Sequence, residues 1–285
     1  MTLPTFLIGG AAKAGTTSLY YYLSEHPDIF MCPVKEPDYF NKHYRRGLDW
    51  YASLFDGWEG EVAIGEASPG TMSSRAALDR VHETLPDVRL VFLLRDPVDR
   101  LFSHFSYDQA RGVIPHHVVF GELIRKDDDA YAQRLVRKGQ YADQIERYAD
   151  RFGRDRIHVE LFEDLKTDRD RCVASVCAFV GVDPDRLPEV ATEGRHNVTA
   201  YPQNPGVYRA VRAVWDPVRR RLGKASLHRL KPVRDAVRGH LFTEDRSARP
   251  ELADTDRDYL AQVYEDSNAR LETILGRDLS QWTRD

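Results

Sequence analysis

Short apolar runs alternate along the first two thirds of the chain with segments of helical periodicity. Thr5–Gly9 reads as a buried strand entering a glycine-bearing loop. Thr16–Ser24 (TTSLYYYLS) reads as a helix ended by His26-Pro27, because the residue before proline disfavours helix. The polar and aromatic stretch Pro33–Tyr44 is expected to be loop, Leu48–Phe55 helix, Glu61–Gly65 a short strand and Ser73–Leu85 a surface helix. Arg89–Leu94 (RLVFLL) is a continuous apolar run of strand length, as in a parallel sheet covered on both faces. Asp96-Pro97 opens another helix, with proline in its first turn. Gly139–Phe152 is amphipathic, Ile157–Leu161 is a further strand, and Thr167 or Asp168 caps a helix running to about Val180. The alternation predicts an α/β sandwich with a central parallel sheet flanked by helices.

The pattern changes after Gly194. Arg195–Val207 is rich in Asn, Pro and Gly, Tyr208–Leu241 is rich in arginine, and Asp254–Leu275 regains helical periodicity. A single domain over 1–285 is expected, with a core at about 5–200 and a helical C-terminal extension at about 205–285.

Composition changes this picture little. The chain of 285 residues is 42% hydrophobic and 30% charged, as a globular protein is. It has no apolar run of the roughly 18–20 residues that a spanning helix needs. Met1 leads almost directly into Phe6-Leu7-Ile8, too short and insufficiently basic at its start for a signal peptide, so the expected location is cytoplasmic. Three widely spaced cysteines predict neither a disulfide framework nor a CxxC metal site. A net charge of −4 argues against general nucleic-acid binding.

The chemistry concentrates in a few loops. Gly9-Gly10-Ala11-Ala12-Lys13-Ala14-Gly15-Thr16-Thr17 lies between strand and helix, where backbone N–H groups and the helix N-terminus hold anions. A nucleotide-triphosphate P-loop reads G-x-x-x-x-G-K-[ST]. Aligning Gly10 and Gly15 to its glycines places Thr16 where that lysine stands, and the lysine is instead Lys13, inside the loop. After Arg89–Leu94 comes Arg95-Asp96-Pro97-Val98-Asp99-Arg100-Leu101-Phe102-Ser103. Arg95 therefore sits at the carboxyl end of a parallel strand, where ligands of open α/β sheets bind, and its guanidinium suits a phosphate.

Lys13-Ala14-Gly15-Thr16-Thr17-Ser18-Leu19 resembles the 5′-phosphosulfate loop, K-x-G-T-T-x-L, of sulfotransferases that use 3′-phosphoadenosine 5′-phosphosulfate (PAPS). The resemblance implies a P-loop-type fold, with donor contacts from Lys13, Ala14, Gly15, Thr16, Thr17 and Ser18. Lys13 would reach the bridging oxygen of the phosphosulfate. Arg95 and Ser103, eight positions apart, resemble that family's 3′-phosphate motif. Pro33-Val34-Lys35-Glu36-Pro37-Asp38-Tyr39-Phe40 resembles the K-E-P-x-x-F segment of its carbohydrate and heparan-sulfate branch, which implies Glu36 as general base with Lys35 beside the donor. Glu61–Pro69 resembles its G-E-x-S-P segment, which brings Glu66 and Ser68 near the acceptor. Lys138-Gly139-Gln140-Tyr141 and Glu163-Asp164-Leu165 match architectural landmarks, and Asn268–Trp282 resembles a tail common in bacterial members. Gly194–Thr199 stands at the family's C-terminal cofactor loop but lacks its K-x-x-x-R pattern, leaving Arg195 as the donor contact there.

The implied reaction is in-line sulfuryl transfer from PAPS to a hydroxyl of a sugar, glycolipid or natural product, with adenosine 3′,5′-bisphosphate as product and no metal required. Several alternatives stay open. A Lys-Glu pair in a loop is also an ordinary solvated turn, and His104 is the rival base, as in the branch that sulfates phenols and steroids. Tyr39 and Phe40 with Trp50 and Tyr51 are either aromatic walls of an acceptor cleft or core beneath the loop. The other functions are N-sulfation of an amine, a P-loop kinase using ATP and Mg²⁺ with Asp96 as metal ligand, and a non-catalytic nucleotide-binding protein.

Overall fold

The structure is a computed structural model that describes residues 1–115, 117–188 and 251–282, with backbone alone at 201–202 and 242–243. Its centre is a five-stranded parallel sheet: β1 (Phe6–Gly10), β2 (Ile29–Met31), β3 (Ala63–Ala67), β4 (Arg89–Leu94) and β5 (Ile157–Leu161). The strand order is β2-β3-β1-β4-β5, with every neighbouring pair parallel. Side chains of a strand alternate between its two faces, and the core divides accordingly. Leu7, Leu90, Phe92 and Leu94 face one cluster, with α3 (Arg75–Thr84) and α7 (Tyr141–Phe152). Phe6, Ile8, Val91 and Leu93 face the other, with α1 (Thr16–Ser24) and α9 (Arg169–Val180).

The described N-terminal part also holds α2 (Leu48–Ala52), α4 (Pro97–Ala110), α5 (Phe120–Ile124) and α6 (Ala130–Arg137). A short α8 (Phe162–Thr167) follows β5 directly. The long α10 (Asp254–Leu275) returns from the C-terminal part. Its Leu260 and Tyr264 join Phe102, Phe105, Phe120 and Leu135 in a third buried cluster, while Leu271 and Trp282 reach the first. A separate antiparallel pair joins β6 (Tyr201–Pro202) to β7 (Phe242–Thr243).

The expected strands at Arg89–Leu94 and Ile157–Leu161 and the helices at Thr16–Ser24 and Asp254–Leu275 have the bounds read from the pattern. Asp96 and Asp168 accept hydrogen bonds from the first-turn N–H groups of α4 and α9, as N-caps do. Two expectations need correction. The strand read at Glu61–Gly65 lies at Ala63–Ala67, where Ala63 pairs with Ile29 of β2, a three-residue strand too short to show alternation. The stretch Pro33–Tyr44 is not all loop. The Asp38 carbonyl accepts from the N–H groups of Lys42 and His43, winding Tyr39–His43 into one wide helical turn. The Arg195–Val207 loop and the Tyr208–Leu241 stretch lie outside the described residues, apart from the backbone at 201–202.

Candidate active site

The adjacency of β1 and β4 brings the two anion motifs together. Gly10 pairs with Phe92, and the Ala11 N–H donates to the Leu93 carbonyl at 2.7 Å. The loop 11–15 and the Arg95 segment therefore leave the sheet side by side. The Arg95 Nη1 donates to the Lys13 carbonyl at 3.4 Å, and its Nη2 to Asp99 Oδ2 at 3.3 Å. The guanidinium carbon also lies 4.9 Å from the Phe162 ring centroid. Tyr141 donates its hydroxyl to the Arg95 carbonyl at 2.9 Å, and Glu163 accepts from the Asp96 N–H at 3.3 Å. The two landmark segments thus hold the backbone of the second motif.

Gly15 opens α1 at φ 89°, in the left-handed region that glycine adopts without strain, and α1 has no side-chain cap. A Cβ at Gly15 would meet the Phe162 ring at 2.7 Å, so a side chain is excluded there by space as well. The uncapped N–H groups of Thr16 and Thr17 are donors of the kind that bind phosphate. Arg95 Nε is likewise buried without a hydrogen-bond partner among the described residues. This donor set fits a ligand with two anionic groups.

Lys13 projects from a backbone with φ 76° and holds its ammonium 4.0 Å from the Tyr107 ring centroid, within range of a cation–π contact. Burial, and then the Arg95 charge, bring its pKa down to about 8, against the opposing pull of Asp108 and Glu36. Lys35 also acts on the ammonium, so Lys13, Lys35, Glu36 and Arg95 share one electrostatic site. Glu36 sits in the loop after β2 at φ 58°, pairs with Lys35 Nζ at 2.7 Å and keeps its side chain 48% exposed. Ser103 is half-buried in the second turn of α4. His104, next to it, turns Nε2 to Asp108 Oδ2 at 3.4 Å, while its Nδ1 is buried without a partner among the described residues. Burial, ahead of all else, lowers its pKa despite the Asp108 carboxylate.

Four residues expected at the acceptor are buried. Tyr39 and Phe40 are 3% and 1% exposed and belong to the core, Tyr39 stacking on Tyr51 with 4.3 Å between centroids. Glu66 and Ser68 are 0% and 1% exposed. The loop of Glu36 is bonded to this segment, the Glu36 N–H donating to the Ala67 carbonyl and the Asp38 N–H to Ser68 Oγ. Burial pushes Glu66 up to about 8, so it is mostly neutral at pH 7. Asp96 is occupied as the cap of α4 and as a partner of Arg257 at 3.3 Å, which leaves little for the metal-ligand role of the kinase alternative. Arg195 lies outside the described residues.

Two neighbours were missed from sequence. Tyr107 follows Ser103 by one helical turn on the same face, a spacing that points to it once the motif is recognised. Arg257 lies 161 positions from Asp96, and no local signal marks it.

Comparison with known proteins finds a family model, "Sulfotransferase domain", matching residues 3–199. The mouse bifunctional heparan sulfate N-deacetylase/N-sulfotransferase 1 is 26% identical over 300 aligned positions, covering 99% of this chain and 31% of the mouse protein. The human heparan sulfate glucosamine 3-O-sulfotransferase 6 is 31% identical, covering 63% of this chain and 52% of its own length. The chain thus spans 31% and 52% of the length of these two curated relatives. The crystal structure of a sulfotransferase from Alicyclobacillus acidocaldarius superposes with a TM-score of 0.72 at 29% identity, covering 100% of both chains. Among the described residues, no helix is long and apolar enough to cross a membrane.

Proposed function

The chain belongs to the sulfotransferase family, related to its heparan-sulfate branch, and from that membership we propose that it moves a sulfuryl group from PAPS to an acceptor hydroxyl. The observation that carries the reading is the hydrogen bond from Arg95 to the Lys13 carbonyl, which makes one site of the two anion-binding motifs.

In this reading the N–H groups at the start of α1, with Thr16 and Thr17, bind the 5′-phosphate. Arg95, with Ser103, binds the remote 3′-phosphate, so binding energy far from sulfur serves orientation. PAPS supplies the activated sulfuryl group. Lys13 neutralises charge developing on the leaving phosphate, and the scheme calls for no metal. Glu36 accepts the proton that the acceptor hydroxyl loses as its oxygen bonds to sulfur. The exposed carboxylate is accessible to an acceptor and pairs with the Lys35 ammonium at 2.7 Å. The acceptor is a small molecule or carbohydrate hydroxyl. An amine is the second reading, favoured by the N-sulfotransferase relative that aligns over 99% of the chain.

Calorimetry with adenosine 3′,5′-bisphosphate, adenosine 5′-phosphate and ATP–Mg²⁺ tests the donor site. The bisphosphate is expected to bind most tightly, without added metal. Equal affinity for the bisphosphate and the monophosphate would remove the second anion site, and preference for ATP–Mg²⁺ would favour a kinase. Labelled PAPS offered with sugar, glycolipid, phenol and amine acceptors then identifies the acceptor class.

A further inference from the structure

Arg257 stands in the first turn of α10, outside the residues matched by the family model. It reaches across to the start of α4, its Nη2 donating to Asp99 Oδ1 at 2.7 Å and its Nη1 to Asp96 Oδ2 at 3.3 Å. The second oxygen of Asp99 is the one that accepts from Arg95 at 3.3 Å. Arg95, Asp99, Arg257 and Asp96 therefore form one continuous chain of alternating charge. Burial pushes the Asp99 carboxyl up, but hydrogen bonds and charge from Arg257 and then Arg95 outweigh it and keep Asp99 ionised.

The position of Arg257 is held firmly. Arg125 of the segment after α5 pairs with Asp256 and donates to the Thr255 carbonyl at 2.9 Å. Gly121 of α5 lies so close to Asp256 that a Cβ there would meet its carboxylate at 2.4 Å. One and two turns on, Leu260 and Tyr264 are buried in the third core cluster, and the Tyr264 hydroxyl donates to the Val136 carbonyl at 3.0 Å. A long side chain launched from so constrained a turn loses little further freedom in reaching α4.

An anion brought to Arg95 meets a difficulty that Arg257 resolves. Asp99 is one helical turn away and already engages the Arg95 guanidinium, while Asp96 is adjacent in sequence. Without Arg257, Asp99 would compete with the anion for the Arg95 guanidinium, and the charges of Asp99 and Asp96 would lack their partner on α10. With Arg257, two cations balance two carboxylates.

We infer that Arg257 is a positioning residue for the nucleotide's 3′-phosphate, drawing Asp99 and Asp96 toward α10 so that the Arg95 guanidinium is available to that phosphate. The inference rests on the donor site proposed above. It makes the C-terminal helix a part of donor recognition.

The test is the ratio of two dissociation constants, adenosine 5′-phosphate over adenosine 3′,5′-bisphosphate, measured by calorimetry on the full chain at fixed ionic strength. Arg257→Gln is expected to lower this ratio about tenfold, the scale of one unit charge acting within a Debye length along a partly buried path. Affinity for the monophosphate should stay near wild type. Adding Asp99→Asn to Arg257→Gln removes the uncompensated carboxylate and is expected to restore most of the ratio. Should Arg257→Gln fail to fold, Asp99→Asn alone decides: a raised ratio supports the inference and an unchanged or lowered ratio overturns it. An unchanged ratio in Arg257→Gln, or equal weakening of both nucleotides, overturns it as well. A wild-type chain that does not distinguish the nucleotides removes the donor site itself, whereas a wild-type preference that Arg257→Gln leaves intact removes this inference alone.

Discussion

Lys13 carries its charge in an environment that works against it, half-buried and beside Arg95. With its pKa brought down to about 8, the ammonium is present in most molecules at pH 7 and lost as pH rises. The charged form is the acidic one, so kcat/KM for the donor should fall as pH rises through about 8. Lys13→Arg, charged throughout the accessible range, should lose that alkaline limb even if its rate is lower. A pH–rate profile of the two proteins measures this, and an unchanged limb in Lys13→Arg would assign it to another group. The base is tested beside it. Glu36→Gln keeps the shape without the basicity, and kcat should fall by about 10²–10⁴-fold with nucleotide binding near wild type. His104→Ala should keep most of kcat, because His104 is half-buried and turned to Asp108 while Glu36 is open to solvent. The opposite pattern in single-turnover rates would move the proton acceptor to His104.

The element that presents Glu36 is held by the end of β3. The Glu36 N–H donates to the Ala67 carbonyl at 3.1 Å, and the Asp38 N–H donates to Ser68 Oγ at 3.1 Å. Ser68 Oγ in turn donates to Glu66 Oε2 at 3.4 Å. These bonds help to hold Glu36 and Asp38 at φ 58° and 50°, a conformation that side chains with a Cβ resist. Glu66 keeps its proton up to about pH 8 in the fold because burial disfavours its charge. The unfolded chain releases that proton near pH 4.5, so the stability it contributes is full below that value and declines as pH rises toward about 8. Urea unfolding should show Glu66→Gln gaining on wild type over this window, at most about 1.4 kcal/mol per pH unit. A difference that is the same at pH 5 and pH 8 would mean that Glu66 is ionised in the fold. The sequence places Glu66 and Ser68 in a recognisable segment but not on a side of it. All five residues of β3 are buried, and alternation cannot then tell a polar side chain facing a cleft from one facing inward.

Across the whole molecule, the sheet order β2-β3-β1-β4-β5 sets both the core and the site. Placing β1 beside β4 joins the Lys13 loop to Arg95, residues 82 positions apart. The return of α10 adds Arg257 from 158 positions beyond Asp99. The sequence by itself determined the elements with strong local signals: the apolar runs of β4 and β5, the helix entries at Asp96-Pro97 and at Thr167 or Asp168, and the period of α10. It also determined the chemistry available, through a glycine loop with a displaced lysine and an arginine at a strand end. Periodicity, capping and turn residues act over a few positions, so they can be read in order along the chain. The tertiary structure decided which loops meet, that Tyr39, Phe40, Glu66 and Ser68 turn inward, and that Arg257 balances Asp96 and Asp99. Burying a polar side chain is tolerable only where other groups offset its lost hydration, and for Asp99 the strongest such partner, Arg257, is supplied by a distant helix once the whole chain has packed.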